Sequence, residues 1–192
     1  MKFVTLGPEG SCHDNALKHY LKHYNFKETE IIFVSDFLIG IDLVHENEAD
    51  YLVQCSADPK VHLVTEKYFT EIRVVDTFIF PTQEIVLLER EEIKIPHTLG
   101  LVKVCEGYLD GINYAKLIYE NAKPIVGYGL LEGKYDAGIT TINYFKNYPE
   151  RFRLRKYIGE VLTTWIIYGR GSTFKGNVLS VAPIDFYDSP LY

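Results

Sequence analysis

The sequence predicts an α/β fold, because strand-like and helix-like runs alternate along its 192 residues. The strand-like runs are rich in Val, Ile and Tyr or are apolar throughout, whereas the helix-like runs repeat apolar residues at helical spacing. Ser11 precedes Asp14 at capping-box spacing, and Ser35 precedes Asp36 and the next helix-like run, so both are expected as N-caps. This alternation predicts mostly parallel sheets. With 47% hydrophobic residues, the chain is long enough for one core or for two small lobes.

The individual elements follow from these runs in chain order. Nine runs predict strands: KFVTL, EIIFV, YLVQC, IRVVDTFIF, EIVLLE, TLGLVKV, KPIVGY, YDAGITT and TTWIIYG. Four runs predict helices: SCHDNALKHYLKHY, DFLIGIDLVHENE, YLDGINYAKLIYEN and TINYFKNYPERF. In the second of these helices, for example, Leu38, Ile41 and Val44 share one face.

Composition excludes several classes of partner. The net charge is −6 and the 20 Lys and Arg residues form no basic stripe, so neither nucleic acid nor a membrane surface is expected as a partner. The N-terminal MKFVTL lacks the apolar core of a signal peptide, and no run reaches the ~18 apolar residues of a membrane span, which predicts a cytoplasmic protein. The three cysteines are far apart, which favours reduced thiols and no metal site.

The turn TLGPEGSCHD lies between the first predicted strand and the first predicted helix. Gly7 and Gly10 permit close backbone approach, and Pro8 stiffens the turn. Free backbone N–H groups at a helix N-terminus suit a small anion, so a substrate carboxylate is expected there. The turn lacks the Lys of a Walker loop and the third Gly of a dinucleotide fingerprint. The alternative is a tight strand-to-helix connection without a ligand.

Three stretches resemble prephenate dehydratase domains. LGPEGSCHDNAL is similar to their N-terminal signature, and GLLEGKYDAGITTINYFKNYPERFRLRKYI is similar to the end of their second lobe. EVLTTWIIYG matches the segment in which that family carries a Thr-Arg-Phe triplet, with a catalytic Thr and an Arg that grips a substrate carboxylate. Here Thr164 falls on the Thr, Trp165 on the Arg and Ile166 on the Phe. The last two departures disfavour dehydratase activity.

The chain resembles more closely the prephenate decarboxylases of bacilysin-type secondary-metabolite biosynthesis. TWIIYGRG reproduces their hydroxyl residue, Trp and following strand, and the loop VQCSADP lacks the dehydratase Glu-Asn-Ser, as theirs does. The resemblance covers about residues 2–171. It implies one two-lobed domain of the periplasmic-binding-protein type II kind over residues 1–192, with lobe one at 1–80 and 157–192 and lobe two at 81–156. The active site is expected in the inter-lobe cleft, and no regulatory domain is expected.

The implied function is cofactor-independent, non-aromatising decarboxylation of prephenate to a dihydro-4-hydroxyphenylpyruvate. Prephenate carries a ring carboxylate and a pyruvyl carboxylate, and loss of the ring carboxylate together with the 4-hydroxyl would make the ring aromatic. Trp165 in place of the Arg removes a carboxylate clamp and adds an apolar plane, which favours departure of a poorly solvated carboxylate. Two alternatives stay open: a dehydratase that forms phenylpyruvate without the Arg, and a catalytically silent module that binds a small acid.

Candidate site residues follow from the resemblance and the turn. The candidate catalytic residues are Thr164, Trp165, Glu9 and His13. The candidate substrate-binding residues are Gly7, Pro8, Glu9, Gly10, Ser11, Thr140, Thr141, Thr163 and Thr164. Each of these residues also has a purely structural alternative: core packing for Trp165, a surface position for His13 or Glu9, and N-capping for Thr140 and Thr141. The expected partner is prephenate, without cofactor or metal, and a homodimer is left open.

Overall fold

The computed structural model describes residues 1–171, which form ten strands, five α-helices and one 3₁₀ helix. The strands are β1 (Lys2–Leu6), β2 (Glu30–Val34), β3 (Tyr51–Cys55), β4 (Ile72–Pro81), β5 (Ile85–Arg90), β6 (Thr98–Leu101), β7 (Lys116–Tyr119), β8 (Ala137–Thr141), β9 (Phe152–Gly159) and β10 (Leu162–Arg170). The helices are α1 (Cys12–His23), α2 (Phe37–His45), α3 (Val61–Lys67), α4 (Lys123–Leu131) and α5 (Ile142–Asn147), and the 3₁₀ helix is Lys103–Leu109.

The strands form two five-stranded sheets, and the predicted α/β class is confirmed. The first sheet has the order β2-β1-β3-β10-β4 and the second the order β7-β6-β8-β5-β9. The expectation of mostly parallel sheets was wrong. Four of the eight strand pairings are antiparallel, because β10 runs against β3 and β4 while β5 runs against β8 and β9. β4 is the last strand of the first sheet before the chain enters the second, and β10 is the returning strand. They therefore lie side by side in opposite directions.

Three predicted elements differ in type. KPIVGY was predicted as a strand but begins α4, where Pro124 occupies the first turn, a position that suits proline. Its glycines let aromatic rings approach the helix, since a Cβ on Gly127 would lie 2.2 Å from the Tyr144 ring. The predicted helix YLDGINYAKLIYEN contains the end of the 3₁₀ helix and β7, and the predicted helix TINYFKNYPERF contains α5 and the start of β9.

Each sheet separates two apolar clusters. Because side chains alternate along a strand, neighbouring residues of β1 enter different clusters. Val4 packs with Ile41 of α2, whereas Phe3 packs with Leu17 of α1 and with Trp165 of β10. Thus α1 and α2 cover opposite faces of the first sheet and fix the direction in which the N-terminus of α1 points.

Two short connections join the sheets, at residues 82–84 and 160–161. They are bonded to each other: the backbone N–H of Thr82 donates to the Val161 carbonyl at 2.9 Å, and the Val161 N–H donates to the Thr82 hydroxyl at 3.0 Å. The first sheet uses residues 2–81 and 162–170, and the second uses residues 85–159. The exact lobe boundaries stay a prediction, and residues 172–192, which were assigned to lobe one, lie outside the described residues. Within residues 1–171 no helix has the length and apolar character needed to cross a membrane.

Candidate functional site

A cleft lies where residues of the two sheets face each other. It encloses about 830 Å³ of empty space, counted together with the solvent at its mouth. It is lined by Leu6, Ser11, Cys12, His13, Cys55, Ala57, Asp58, Thr82, Ile85, Val102, Val104, Cys105, Tyr108, Asn121, Ala122, Lys123, Val161, Thr163 and Trp165. Most of these side chains are apolar or carry a thiol, so the few polar groups stand in a weakly solvated space.

Lys123 supplies the cation of this cleft. It is the first residue of α4, and the Thr140 hydroxyl donates a hydrogen bond of 2.7 Å to its carbonyl. Its ammonium lies 3.8 Å from the Cys12 sulfur, and within residues 1–171 no carboxylate forms an ion pair with it. Burial lowers the pKa of Lys123, whereas its electrostatic interactions with the nearby cysteines, Cys12 first, raise it, and the balance lies above the usual range. Lys123 is therefore a charged, weakly neutralised group that suits a small anion.

His13, the second residue of α1, is held neutral. Burial, and then the positive charge of Lys123, lowers the pKa of His13 to about 3. Its ring lies between Phe37, at 5.3 Å, and Trp165, at 5.2 Å. Its Nε2 is buried without a hydrogen-bond partner in the described part of the chain. The structure thus brings His13 to the cleft as a neutral imidazole, and its predicted role as a proton donor stays a prediction.

All three cysteines of the chain line the cleft, and all three are free thiols. Cys12 is the first residue of α1 and faces Lys123. The Cys55 sulfur lies 3.5 Å from the Thr163 hydroxyl, across the pairing of β3 and β10. Cys105 is completely buried, and burial raises the pKa of its thiol. The thiols therefore sit in three different environments within one cavity.

Trp165 both packs and lines the cleft. Only 1% of it is exposed, it belongs to the apolar cluster under α1, and its Nε1–H donates to the Phe80 carbonyl at 3.0 Å. Thr163 lies two residues earlier on the same face of β10 and also lines the cleft. Thr164 points to the other face and is absent from the lining, so the structure does not bring this predicted catalytic hydroxyl to the cavity.

The Gly-rich turn is occupied by the protein itself. The N–H of Gly7 donates to the Val34 carbonyl, that of Ser11 to the Pro8 carbonyl, and that of Gly10 to the carboxylate of Asp14 at 2.8 Å. The N–H groups of this turn that were expected to hold a substrate carboxylate are thus bonded internally, apart from that of Glu9. The buried Asp14 places its carboxylate where that anion was expected.

Other predicted residues of this region separate into two groups. Ser11 lines the cleft, but its hydroxyl serves as the N-cap of α1 by accepting from the Asp14 N–H. Glu9 is exposed and pairs with Lys18 at 3.1 Å, so the structure does not bring it to the cleft. Gly7, Pro8 and Gly10 are likewise absent from the lining.

Thr140 and Thr141, at the end of β8, have structural roles near the cleft. Both residues are buried. Thr140 holds the start of α4 and so positions Lys123, rather than meeting a substrate directly. Thr141 is the N-cap residue of α5, although its hydroxyl makes no capping hydrogen bond, and it lines a separate polar pocket beside Glu84 and Glu160.

The sequence analysis missed Lys123, Cys12, Cys55 and Cys105 as site residues. KPIVGY was interpreted as a strand, so nothing indicated that Lys123 begins a helix at the cleft. A Lys-Pro pair after a short polar stretch is a usable signal, since proline favours the first turn of a helix. Within residues 1–171 no group of three or more His, Cys, Asp or Glu side chains is arranged to hold a metal ion.

Comparison with solved structures places this architecture among two-lobed proteins. Prephenate dehydratase from Arthrobacter aurescens, solved in complex with L-Phe, aligns with a TM-score of 0.65 and 17% identity over 93% of this chain. An ABC transporter structure from Parabacteroides distasonis aligns at 0.57 and 15% identity, covering 88% of this chain and 65% of its own. The periplasmic VFT2 domain of BvgS from Bordetella pertussis aligns at 0.55 and 14% identity, covering 88% of this chain and 80% of its own.

The fold is of the periplasmic-binding-protein type II kind. At these identities the likeness concerns the fold alone, and it confirms the two-lobed α/β architecture that the sequence predicted. The chain spans 63% of the length of the prephenate dehydratase chain. No protein-family model matches the sequence, and no curated protein matches it.

Proposed function

We propose that this protein binds prephenate in the cleft between its two sheets and removes the ring carboxylate without making the ring aromatic. The observation that carries the proposal is the half-buried Lys123 ammonium, which has no carboxylate partner within residues 1–171 and lines a largely apolar cavity. The prephenate dehydratase named above shares the fold, which supports the choice of substrate. The decarboxylase branch is suggested by the sequence resemblance over TWIIYGRG.

The charges of the cleft favour loss of one carboxylate. Prephenate brings two carboxylates, whereas the lining contains a single lysine or arginine, Lys123, and one carboxylate of its own, Asp58. With His13 neutral, one cation can neutralise only one of the substrate's two carboxylates. We expect Lys123 to bind the pyruvyl carboxylate. The ring carboxylate, left in apolar surroundings, is then destabilised relative to carbon dioxide.

The proton donors of the cleft fit a reaction that leaves the hydroxyl in place. Loss of carbon dioxide leaves its electron pair in the ring, and a proton that comes from solvent water is added at a ring carbon while the 4-hydroxyl stays bound. A neutral His13 is a weak acid and gives little assistance to a departing hydroxide. Thr164, at the position of the dehydratase threonine, faces away from the cavity. Both features disfavour the aromatising route.

A catalytically silent binding module is the second candidate. It is favoured by the same turned-away Thr164 and by the absence of a charged acid at His13, which leave few groups to transfer a proton. In that case the cleft would bind a small acid through Lys123 and release it unchanged. The cytoplasmic location and the homodimer stay predictions.

Incubation of the pure protein with prephenate distinguishes the candidates. We expect loss of prephenate with release of carbon dioxide and without the ultraviolet absorbance of phenylpyruvate. A strong phenylpyruvate signal would identify a dehydratase, and no turnover together with measurable binding would identify the binding module. Lys123→Met should remove both turnover and binding, whereas Lys116→Met, which removes an exposed and unpaired lysine of β7, should change neither.

A further inference from the structure

We propose that Cys12 and Lys123 form a carboxylate-directed alkylation site: Lys123 binds the carboxylate of a small electrophile, and Cys12 attacks its reactive carbon. The proposal shares with the proposed function only the binding of a carboxylate by Lys123. It requires no turnover of prephenate, so its test stands whether or not prephenate is a substrate.

The geometry brings the two groups together from different sheets. Cys12 begins α1, which packs on the first sheet, and Lys123 begins α4, which packs on the second. Their Sγ and Nζ atoms are 3.8 Å apart, and both residues line the same cleft. A two-carbon acid bound to the ammonium therefore has its second carbon within reach of the sulfur.

The surroundings of Cys12 favour its reaction over that of the other two thiols. The sulfur lies beside an ammonium and at the N-terminus of a helix, and both stabilise negative charge on sulfur as it attacks. Cys55 faces the Thr163 hydroxyl, which offers no charge. Cys105 is completely buried, and its thiol pKa is raised, so it reacts slowly.

Two polar groups at the site have no protein partner among the described residues that would satisfy them, which indicates that a ligand binds there. The buried Nε2 of His13 has no partner within residues 1–171, and no carboxylate neutralises Lys123 there. A ligand carboxylate would supply the missing anion. In the reaction with a haloacetate, the sulfur forms a bond to the CH₂ carbon as the carbon–halogen bond breaks. The halide leaves with the electron pair, and the thiol proton passes to water.

The test compares iodoacetate with iodoacetamide on the full chain, with the label at each cysteine quantified by peptide mass spectrometry. The two reagents share the reactive carbon, but only iodoacetate carries a carboxylate. We expect the iodoacetate-to-iodoacetamide rate ratio at Cys12 to exceed the ratio for a free thiol such as N-acetylcysteine by about tenfold or more, as expected for one charge-assisted hydrogen bond. The ratio at Cys55 should stay near that of the free thiol.

Variants show whether Lys123 causes the preference. Lys123→Met should bring the ratio at Cys12 down to the free-thiol value, Lys123→Arg should keep most of the preference, and Lys116→Met should leave it unchanged. Thermal melting of each variant verifies that the labelled protein is folded. A ratio at Cys12 equal to that of the free thiol, or a preference that persists in folded Lys123→Met, would overturn the proposal.

Discussion

Lys123 and Trp165 line the same cleft, but only Lys123 has a charge that a ligand could neutralise. A buried ammonium is stable only if something neutralises it, and in the cleft Lys123 contacts a sulfur atom rather than a carboxylate. The Nε1–H of Trp165 already donates a hydrogen bond to the Phe80 carbonyl, and only 1% of the residue is exposed. A ligand carboxylate therefore improves the surroundings of Lys123, and Trp165 needs no ligand.

Trp165→Arg should act mainly on stability. The guanidinium would enter the apolar cluster beside Val53 and Leu17 and lose its hydration there, so we expect the free energy of unfolding to fall by about 3 kcal/mol or more. Circular dichroism in a urea series measures the loss, because the substitution removes the only tryptophan of the chain. Trp165→Phe keeps the apolar surface and should lose about 1–3 kcal/mol. A Trp165→Arg protein as stable as the parent would contradict the packing described here.

His13 should make the fold sensitive to acid. Its pKa is lowered from 6.5 to about 3 in the folded chain, so below pH 6.5 the unfolded chain takes up a proton that the folded chain does not. Stability from this residue is thus complete above pH 6.5 and falls as the pH falls toward 3, by at most about 1.4 kcal/mol per pH unit.

Urea unfolding at pH 7, 6, 5 and 4, followed by the fluorescence of Trp165, measures this dependence. The neutral variant His13→Gln should have a shallower decline than the parent. His62→Gln is the matched control, because the His62 side chain is 80% exposed, and it should follow the parent. Parallel pH curves for His13→Gln and the parent would show that His13 is not held neutral.

At the scale of elements, the first turn of α4, and not the turn before α1, supplies the group that suits an anion. The Gly-rich turn is closed by its own hydrogen bonds and by Asp14, whereas the less conspicuous Ala122-Lys123-Pro124 segment supplies the cation. The strand-turn-helix order at the N-terminus was predictable from punctuation by Gly, Pro and Ser. The internal bonding of its N–H groups was not, since it depends on Val34 and on the buried Asp14 carboxylate.

Gly10→Ala tests this assignment. Gly10 has φ +78°, and a Cβ there would meet no atom within 4 Å, so the substitution should cost about 1–2 kcal/mol of backbone strain and leave the cleft intact. We expect lower stability in urea with prephenate affinity, measured by calorimetry, unchanged within about twofold. Lys123→Met should show the reverse, with affinity reduced about tenfold or more. A large loss of affinity in folded Gly10→Ala would restore the turn as the anion site.

Local patterns predicted strands best where tertiary context agreed with them. YLVQC and IRVVDTFIF are β3 and most of β4, because β-branched and apolar residues are what a covered sheet requires. KPIVGY also contains Ile, Val and Tyr but begins a helix, in which Gly127 admits the Tyr144 ring and the following Gly129 admits Tyr135. Both tyrosines lie outside the KPIVGY stretch. The same long-range packing, not a local motif, brings Cys12, Cys105 and Lys123 to one cavity.

At the scale of the whole molecule, the cleft depends on how the two sheets are joined. The sheets are connected through two short segments that are bonded to each other at Thr82 and Val161, and each sheet has its own apolar clusters. Residues of the cleft lining come from both sheets, with Cys12 and Trp165 on one side and Cys105 and Lys123 on the other. A change in the angle between the sheets would therefore open or close the cleft without disturbing either core.

Closure on ligand binding should be visible in solution scattering. With saturating prephenate we expect a smaller radius of gyration than in the free protein, because closure of the two sheets over the ligand expels water from the cleft. Lys123→Met serves as the control and should show no compaction. Identical scattering profiles for the free and the saturated parent would indicate a rigid, preformed cleft.

The proposed reaction removes the ring carboxylate of prephenate and keeps the ring hydroxyl. Proton and carbon NMR of the product, with prephenate labelled with ¹³C in the ring carboxylate, tests it directly. We expect the label to appear as carbon dioxide, the signal of the hydroxyl-bearing ring carbon to be retained, and no aromatic protons to appear. Aromatic phenylpyruvate signals, or labelled prephenate recovered unchanged, would contradict it.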